Sequence, residues 1–162
     1  QVHVNPDYTQ YVASSSKIVV VVAVLRAIEQ GRLVFEDISQ MIDEVMWHSA
    51  DWAADALNDL LEPEEILEVL DHSGVSVQTA YPYHWRGAIM PALDLARVWA
   101  ALLDGRLLDP EYTAYLLEQS SRADIPDADG MTAVPIMAPI EVPSQRMAST
   151  PSASTKATAR RV

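Results

Sequence analysis

The stretch that decides the fold is Ala13-Ser14-Ser15-Ser16-Lys17, which leads directly into the apolar run Ile18-Val19-Val20-Val21-Val22-Ala23-Val24-Leu25. This pattern predicts a buried helix from Ser14 to Gln30, with Gly31 as its C-terminal stop. In such a helix Ser14 and Lys17 are three residues apart, so they lie on one face of its first turn. A hydroxyl and an amine are therefore expected side by side at the helix start.

The pair Ser14 and Lys17 is a candidate nucleophile and base. A serine hydroxyl needs a base beside it, and a lysine amine in apolar surroundings can lose enough pKa to act as one. Backbone N–H groups at the helix N-terminus would receive a developing oxyanion. The alternative is an ordinary serine-rich N-cap before a buried helix. The chain places one of its only two lysines, Lys17 and Lys156, against a valine run, which favours a role in a site.

The longer stretch from Tyr11 to Leu33 resembles the active-site helix of serine β-lactamases and penicillin-binding proteins, and is most similar to β-lactamase-like serine hydrolases of actinobacterial type. In that family the serine of the Ser-x-x-Lys motif is acylated and its lysine takes part in proton transfer. The resemblance implies these roles for Ser14 and Lys17. It covers residues 11 to 122, because the stretches 92–97 and 107–111 resemble the family's later helices.

A second stretch, residues 46–57, is similar to the family's Ser-Asp-Asn motif and the Ala-Ala pair that follows it. Ser49 matches the motif serine, whereas Ala50 stands in place of Asp and Asp51 in place of Asn. An ionised Asp51 only accepts hydrogen bonds, so it cannot donate to a substrate carbonyl as Asn does. The alternative for this stretch is a helix N-cap at Ser49 or Asp51. A Ser14-His48-Asp51 triad is the less favoured arrangement, since sequence proximity does not establish its geometry.

An aromatic loop, residues 81–87, occupies the place where class A β-lactamases carry a glutamate that activates the deacylating water. Its Tyr83 and Trp85 are candidate substrate-binding residues, and core packing is the alternative for both. No acidic residue occurs between Asp71 and Asp94. The resemblance therefore implies acylation without the family's usual means of rapid hydrolysis.

Periodicity and capping residues predict six helices after a short extended lead-in over residues 1–12. They are expected from Ser14 to Gln30, from an Asp37 cap through Met46, from Ala53 to Leu61, from Glu62 to Ser73, from Pro91 to Gly105, and from Asp109 through Leu116 to about residue 120. The predicted core consists of Val20, Leu25, Ile42, Val45, Leu57, Leu60, Leu67, Leu70, Leu93 and Trp99. The fold class is therefore mainly α, the helical subdomain of a β-lactamase/transpeptidase-like fold, with little strand.

The C-terminal part differs in character from the rest of the chain. Residues 1–122 form the predicted helical domain, and residues 123–162 are predicted as an irregular Pro/Ser/Thr-rich tail with at most short strands near residues 131–142. The family's Lys-Thr-Gly strand is missing in form. Lys156 is the candidate for its substrate-binding lysine, alongside Asp51 in the second motif, and a basic tail is the alternative.

Composition limits the class of partner. The 162 residues fit one domain, and a net charge of −12 argues against nucleic acid, which is bound through basic patches. Cysteine is absent, the histidines show no metal-ligand spacing, and the valine run is too short to span a bilayer. We expect no metal, no cofactor and no transmembrane segment, and a chain that starts at Gln1 is interpreted as processed or truncated.

Two functions are consistent with these features. The resemblance implies a secreted or cell-envelope serine hydrolase acting on a small-molecule or peptidoglycan-like substrate, with Ser14 as nucleophile, Lys17 as general base and Ser49 as proton shuttle. Turnover of β-lactams is expected to be weak or absent. The alternative is a catalytically inactive β-lactamase-like binding or interaction module, because the second motif, the loop glutamate and the Lys-Thr-Gly strand all depart from the family pattern.

Overall fold

A computed structural model describes residue 5, residues 7–82 and residues 84–122. Over these residues the fold is mainly α with little strand, as the sequence predicts. The elements are β1 (Thr9–Tyr11), α1 (Lys17–Glu29), α2 (Phe35–His48), α3 (Asp51–Asn58), α4 (Pro63–Ser73), β2 (Ile89–Pro91), α5 (Ala92–Leu103) and α6 (Pro110–Ser121). Short 3-10 helices precede α1, at Ala13–Ser16, and β2, at Trp85–Gly87. The predicted tail, with its expected strands, lies outside the described residues.

Helix α1 is the centre of the domain. Every side chain from Lys17 to Leu25 is buried, and so is Ala27. A helix that is apolar all round is stable only when other elements surround it, and α2, α3 and α4 all pack against α1. With 13 residues α1 is short, and no helix in the described part of the chain has the length and apolar character needed to cross a bilayer.

The start of α1 differs from the predicted one. Residues Ala13–Ser16 form a 3-10 helix, Ala13 has a left-handed φ of 47°, and the α-helix begins at Lys17 rather than at Ser14. In a 3-10 turn residues i and i+3 lie above one another, so Ser14 and Lys17 still share one side of the chain. The C-terminal stop is as predicted, since Gly31 follows α1 with a φ of 73°.

The other helix ends follow the sequence signals with small shifts. Helix α2 starts at Phe35 instead of after an Asp37 cap, so Asp37 lies in the first turn. Helix α4 has Pro63 at its first position, and the Glu62 backbone N–H donates to Glu65 Oε2 over 2.8 Å. Gly74 ends α4 with a φ of 68°. Helix α6 begins at Pro110, as expected from its proline and the preceding Asp109.

The two strands form an antiparallel pair that the sequence predicted only in part. Residues 9–11 confirm the extended lead-in, and they pair with residues 89–91 in the register Thr9 to Pro91 and Tyr11 to Ile89. Pro91 was expected to begin the fifth helix, but it is the last residue of β2 and the N-cap of α5. Just beyond the pair, the Val12 N–H donates to the Ala88 carbonyl over 3.3 Å. The chain before Ser14 is thereby joined to the loop of residues 81–88, which contains the aromatic loop and is called the 80s loop from here on.

Six of the ten predicted core residues are buried, two are half-buried and two are exposed. Val20, Leu25, Ile42, Val45, Leu57 and Leu70 are buried. Leu93 and Trp99 are half-buried, and Trp99 packs against the core. Leu60 is 38% exposed because α3 ends at Asn58 and does not carry the helical face on to this residue. Leu67 is 55% exposed because α4 turns Ile66, Val69 and Leu70 inward, and Leu67 lies about 100° around the helix from the middle of that buried face. The prediction was wrong at these two positions.

Candidate functional site

Lys17 is the buried centre of the candidate site. Its side chain is 3% exposed, and its Nζ donates to the Ser49 carbonyl at 2.5 Å, to Ser49 Oγ at 3.1 Å and to Asp51 Oδ1 at 2.5 Å. A lysine ammonium has three donors, and all three have a partner here. The structure therefore brings together three residues that the sequence picked out 32 to 34 positions apart.

The turn between α2 and α3 supplies these partners. Ser49 ends α2 in the left-handed conformation, with φ 50° and ψ 36°, which aims its carbonyl and hydroxyl at Lys17. Ala50 is extended and occupies the N-cap position of α3, where it makes no side-chain cap bond. The expected alternative role of Ser49 or Asp51 as helix N-cap is therefore not what the turn shows, because both side chains bind Lys17 instead.

Ser14 lies on the exposed side of the same 3-10 turn. Its side chain is exposed, and within the described part of the chain its hydroxyl has no hydrogen-bond partner. The Lys17 backbone N–H donates to the Ser14 carbonyl, which keeps the two residues on one turn. Ser14 thus offers a free hydroxyl beside the site, while its expected base is hydrogen-bonded to other groups.

Asp51 joins Lys17 to a second cation. Its Oδ1 accepts from Lys17, and its Oδ2 accepts from Arg86 Nη1 at 3.1 Å. The Lys17 hydrogen bond, reinforced by the charges of Lys17 and Arg86, holds the pKa of the Asp51 carboxyl below its usual range. Asp51 is thus an ionised acceptor at neutral pH, at the position where the sequence resemblance led us to expect a neutral amide.

Asp55 completes a four-charge cluster one helical turn after Asp51. Arg86 binds it with two nitrogens, Nε to Oδ1 at 3.2 Å and Nη2 to Oδ2 at 2.8 Å, in the fork geometry that suits a carboxylate. The Trp85 indole N–H donates to Oδ1 at 3.0 Å, and His84 Nε2 lies 3.4 Å from the same oxygen. The Arg86 hydrogen bond lowers the pKa of Asp55 from its ordinary value.

Trp85 lies against both cations. Its ring centroid is 4.4 Å from Lys17 Nζ and 4.6 Å from Arg86 Cζ, which is the range of cation–π contacts. The residue is only 3% exposed, and its carbonyl accepts from Ser16 Oγ at 2.9 Å. The loop that carries Trp85 is therefore fastened to the turn that carries Ser14 and Lys17.

The sequence analysis missed three residues of the site: Ser16, Asp55 and Arg86. Asp55 follows Asp51 by four residues, so the helical period would have placed the two carboxylates on one face of α3. Arg86 is the one cation in the aromatic loop between Asp71 and Asp94. Its partners lie 31 and 35 positions away, a distance over which no local pattern operates.

Some predicted positions do not join the cluster. Tyr83 and Lys156 lie outside the described residues. His48 is exposed, its ring contacts Trp47, and the described hydrogen bonds join it neither to Ser14 nor to Asp51, so the triad arrangement has no support. Among the described residues, no group of three or more histidine, aspartate or glutamate side chains is placed to hold a metal ion.

Three solved structures resemble this chain in fold. A β-lactamase from Sphaerobacter thermophilus matches 76% of this chain and 59% of its own, with a TM-score of 0.67 and 19% identity. A variant of the last common ancestor of Gram-negative class A β-lactamases matches 75% of this chain and 59% of its own, with a TM-score of 0.60 and 20% identity. Penicillin-binding protein D2 from Listeria monocytogenes was solved in a cefotaxime-bound form. Its match covers 79% of this chain and 63% of the penicillin-binding protein, with a TM-score of 0.61 and 20% identity.

Sequence comparison adds no closer relationship. No protein-family model matches the chain, and a comparison with curated proteins gives no match. The chain spans about three-fifths of the length of the β-lactamase and penicillin-binding-protein structures that it resembles. At this level of identity the likeness concerns the fold, and the described residues match it with helices and one short strand pair. The chain has the fold of the helical part of β-lactamase-like proteins.

Proposed function

We propose that this chain is a β-lactamase/penicillin-binding-protein-like serine protein that is acylated at Ser14 and turns over slowly or not at all. The observation that carries the proposal is the contact between Lys17 Nζ and Ser49 Oγ at 3.1 Å, at the end of the turn that also carries the exposed Ser14. It joins the lysine of the first motif to the serine of the second. The substrate class is a small β-lactam or a peptidoglycan-like acyl donor, which places the protein in the cell envelope or outside the cell.

In this mechanism Ser14 Oγ attacks the carbonyl carbon of the acyl donor while the carbon–nitrogen bond breaks. The proton of the Ser14 hydroxyl passes to the amine of Lys17, and the Ser49 hydroxyl relays a proton to the departing nitrogen. Lys17 serves as general base only after its ammonium has given up a proton. The ionisable group that could take this proton is Asp51, whose Oδ1 lies 2.5 Å from Lys17 Nζ.

Asp51 is a poor proton acceptor, and this limits the proposed rate. Because the Lys17 hydrogen bond lowers the pKa of Asp51, the ion pair is favoured over the neutral pair that the base mechanism needs. Hydrolysis of the acyl-enzyme is limited as well, since the loop over Lys17 presents Trp85 and no carboxylate of its own. We expect slow acylation followed by still slower deacylation.

Incubation of the full chain with a fluorescent penicillin, followed by mass spectrometry of its peptides, tests the proposal. The expected result is one adduct on Ser14 that forms over minutes to hours and persists. Ser14→Ala should abolish it, and Ser15→Ala is the matched control, because Ser15 is an exposed neighbour on the same turn. A folded wild-type chain that forms no adduct, or an adduct that survives in Ser14→Ala, would reject the proposal.

A second candidate is a binding module without catalysis. The observation that favours it is the saturation of Lys17, whose three donors are occupied by Ser49 and Asp51 while Trp85 lies against the amine. Under this candidate the four-charge cluster is a structural joint between α1, α3 and the 80s loop. Ser14→Ala would then leave biological activity unchanged, whereas a loss of activity at unchanged stability would exclude it.

A further inference from the structure

We propose that the Trp85 and Arg86 side chains form a latch over Lys17, and that release of Arg86 from Asp51 and Asp55 opens access to the amine. The latch closes the site between the turn of Ser14 and the turn of Ser49. Its effect on the Lys17 amine is independent of chemistry at Ser14, whereas its effect on acylation rests on the proposed function.

Trp85 is the covering part of the latch. Its ring lies 4.4 Å from Lys17 Nζ, and both residues are almost completely buried, with Trp85 at 3% and Lys17 at 2% exposure. Lys17 is the first residue of α1, and the residues that follow it as far as Leu25 are apolar and buried. A reagent or substrate that approaches the amine from the side of the 80s loop therefore meets the indole ring.

Arg86 is the outer part that holds the ring in place. It binds Asp55 with Nε and Nη2 and Asp51 with Nη1, so one side chain spans both carboxylates of α3. Its side chain is 48% exposed, and the two carboxylates are 38% and 54% exposed. Ion pairs at such positions are weak and screened by salt, unlike the buried contacts of Trp85. The ion pairs of Arg86 with Asp51 and Asp55 are therefore the weakest contacts of the latch.

The backbone under the latch is anchored more firmly. Ser16 Oγ, which is fully buried, donates to the Trp85 carbonyl at 2.9 Å, and the Val12 N–H donates to the Ala88 carbonyl. Because these contacts hold the backbone, the latch opens by movement of the Trp85 and Arg86 side chains and the loop does not unfold. Loss of the latch should leave the helical fold intact.

The chain offers a direct measurement, because Lys17 and Lys156 are its only lysines. The full chain is treated briefly with N-hydroxysuccinimide acetate, and peptide mass spectrometry gives acetylation of Lys17 relative to Lys156. Arg86→Gln should raise this ratio by about three-fold or more, because exposed ion pairs bias an equilibrium by factors of roughly two to five. Arg86→Gln leaves the hydrogen-bond partners of the amine, Ser49 and Asp51, in place, so a faster reaction reports access to Lys17.

The matched control is Arg32→Gln. Arg32 lies in the loop after α1, at the opposite end of that helix from Lys17, and it pairs with Glu65. Its side chain is 39% exposed, similar to the 48% of Arg86. In Arg32→Gln, the acetylation of Lys17 relative to Lys156 should equal that of the wild type. Raising the salt concentration should raise the wild-type ratio and leave that of Arg86→Gln nearly unchanged. Far-UV circular dichroism shows that each variant is folded before it is labelled.

Two results would overturn the latch: an Arg86→Gln ratio equal to or below that of the wild type, or an equal rise in Arg32→Gln. The acylation experiment separates this inference from the proposed function. A raised Lys17 ratio without any penicillin adduct keeps the latch and rejects acylation at Ser14. An adduct on Ser14 in the wild type, with no effect of Arg86→Gln on Lys17 labelling, keeps the acyl transfer and rejects the latch.

Discussion

Lys17 Nζ and Asp51 Oδ1 lie 2.5 Å apart, and this ion pair joins the start of α1 to the start of α3. By the sequence resemblance alone, these two positions correspond to a lysine and a neutral asparagine. A carboxylate stabilises the ammonium form of its partner, whereas an amide oxygen accepts the same hydrogen bond without a full charge. The charge of residue 51 should therefore control how readily Lys17 acts as a base.

Asp51→Asn tests this dependence. Under the proposed function we expect faster acylation of Ser14 by a fluorescent penicillin, by about ten-fold, because general base catalysis contributes roughly 10²- to 10⁴-fold and is impeded by the ion pair. Asp104→Asn is the matched control, since Asp104 pairs with Arg106 and makes no contact with Lys17 or Arg86 among the described ion pairs and hydrogen bonds. Equal rates in Asp51→Asn and the wild type would show that the pair does not limit the reaction.

Asp94 gives the fold a pH-dependent contribution to stability. It is fully buried, and its carboxylate accepts hydrogen bonds from the Ser76 N–H and hydroxyl, from Thr79 and from Arg97. Burial alone would raise the pKa of Asp94, but the hydrogen bonds of Ser76, Thr79 and Arg97 outweigh it, so the pKa is lowered. The stabilisation is therefore complete above the unfolded value of about 3.9 and is lost as the pH falls through the lower folded value.

Asp94→Asn should consequently lower the free energy of unfolding at pH 7 by about 2 to 3 kcal/mol, the size expected for hydrogen bonds to a charged group. The difference from the wild type should shrink as the pH falls from about 5 towards 2. Urea unfolding at several pH values measures both effects. Asp104→Asn is the control, because that side chain is 66% exposed. A difference between Asp94→Asn and the wild type that stays constant with pH would contradict this account.

How much the sequence predicted depends on the range of the interaction. Local signals located the helices, since periodicity, Pro63, Pro110 and the glycines at helix ends act within one or two turns. Strand β2 was missed because its partner strand β1 lies some 80 positions earlier, beyond the reach of a local sequence pattern. The resemblance selected Lys17, Ser49 and Asp51 as residues of one site but did not predict the ion pair between Lys17 and Asp51. Arg86 was not selected, because its partners are ones that no local pattern reveals. Long-range charge pairing therefore decided what was missed at the site.

The difference between Leu57 and Leu67 provides a test of the observed core. Both were predicted to be buried, yet Leu57 has 0% exposure and Leu67 has 55%. Leu57→Ala should lower the free energy of unfolding by about 2 to 5 kcal/mol through lost burial and a cavity. Leu67→Ala should change it by less than about 1 kcal/mol, as is usual for surface substitutions. Chemical denaturation of the two variants measures this, and similar losses would mean that α4 is rotated relative to the arrangement described.

Gly87 directly follows Arg86 in the loop that carries the latch, and it packs against Pro82. A Cβ atom at this residue would lie 2.7 Å from Cγ of Pro82, inside any ordinary contact distance, and a proline ring has little freedom to move away. Gly87→Ala should therefore displace the segment that carries Trp85 and Arg86, at a cost of about 1 to 3 kcal/mol in unfolding free energy. It should also raise Lys17 acetylation relative to Lys156, as Arg86→Gln does.

Gly105→Ala is the informative counterpart. Gly105 has open space around its Cα but a left-handed φ of 69°, so alanine there introduces backbone strain of about 1 to 2 kcal/mol without a steric contact. The two variants should thus lose comparable stability for different reasons, and only Gly87→Ala should expose Lys17. Urea unfolding gives the stabilities, and amine labelling gives the exposure. If both variants label Lys17 at the wild-type rate, or both accelerate it equally, the 80s loop does not control access to the amine and covers it only incidentally.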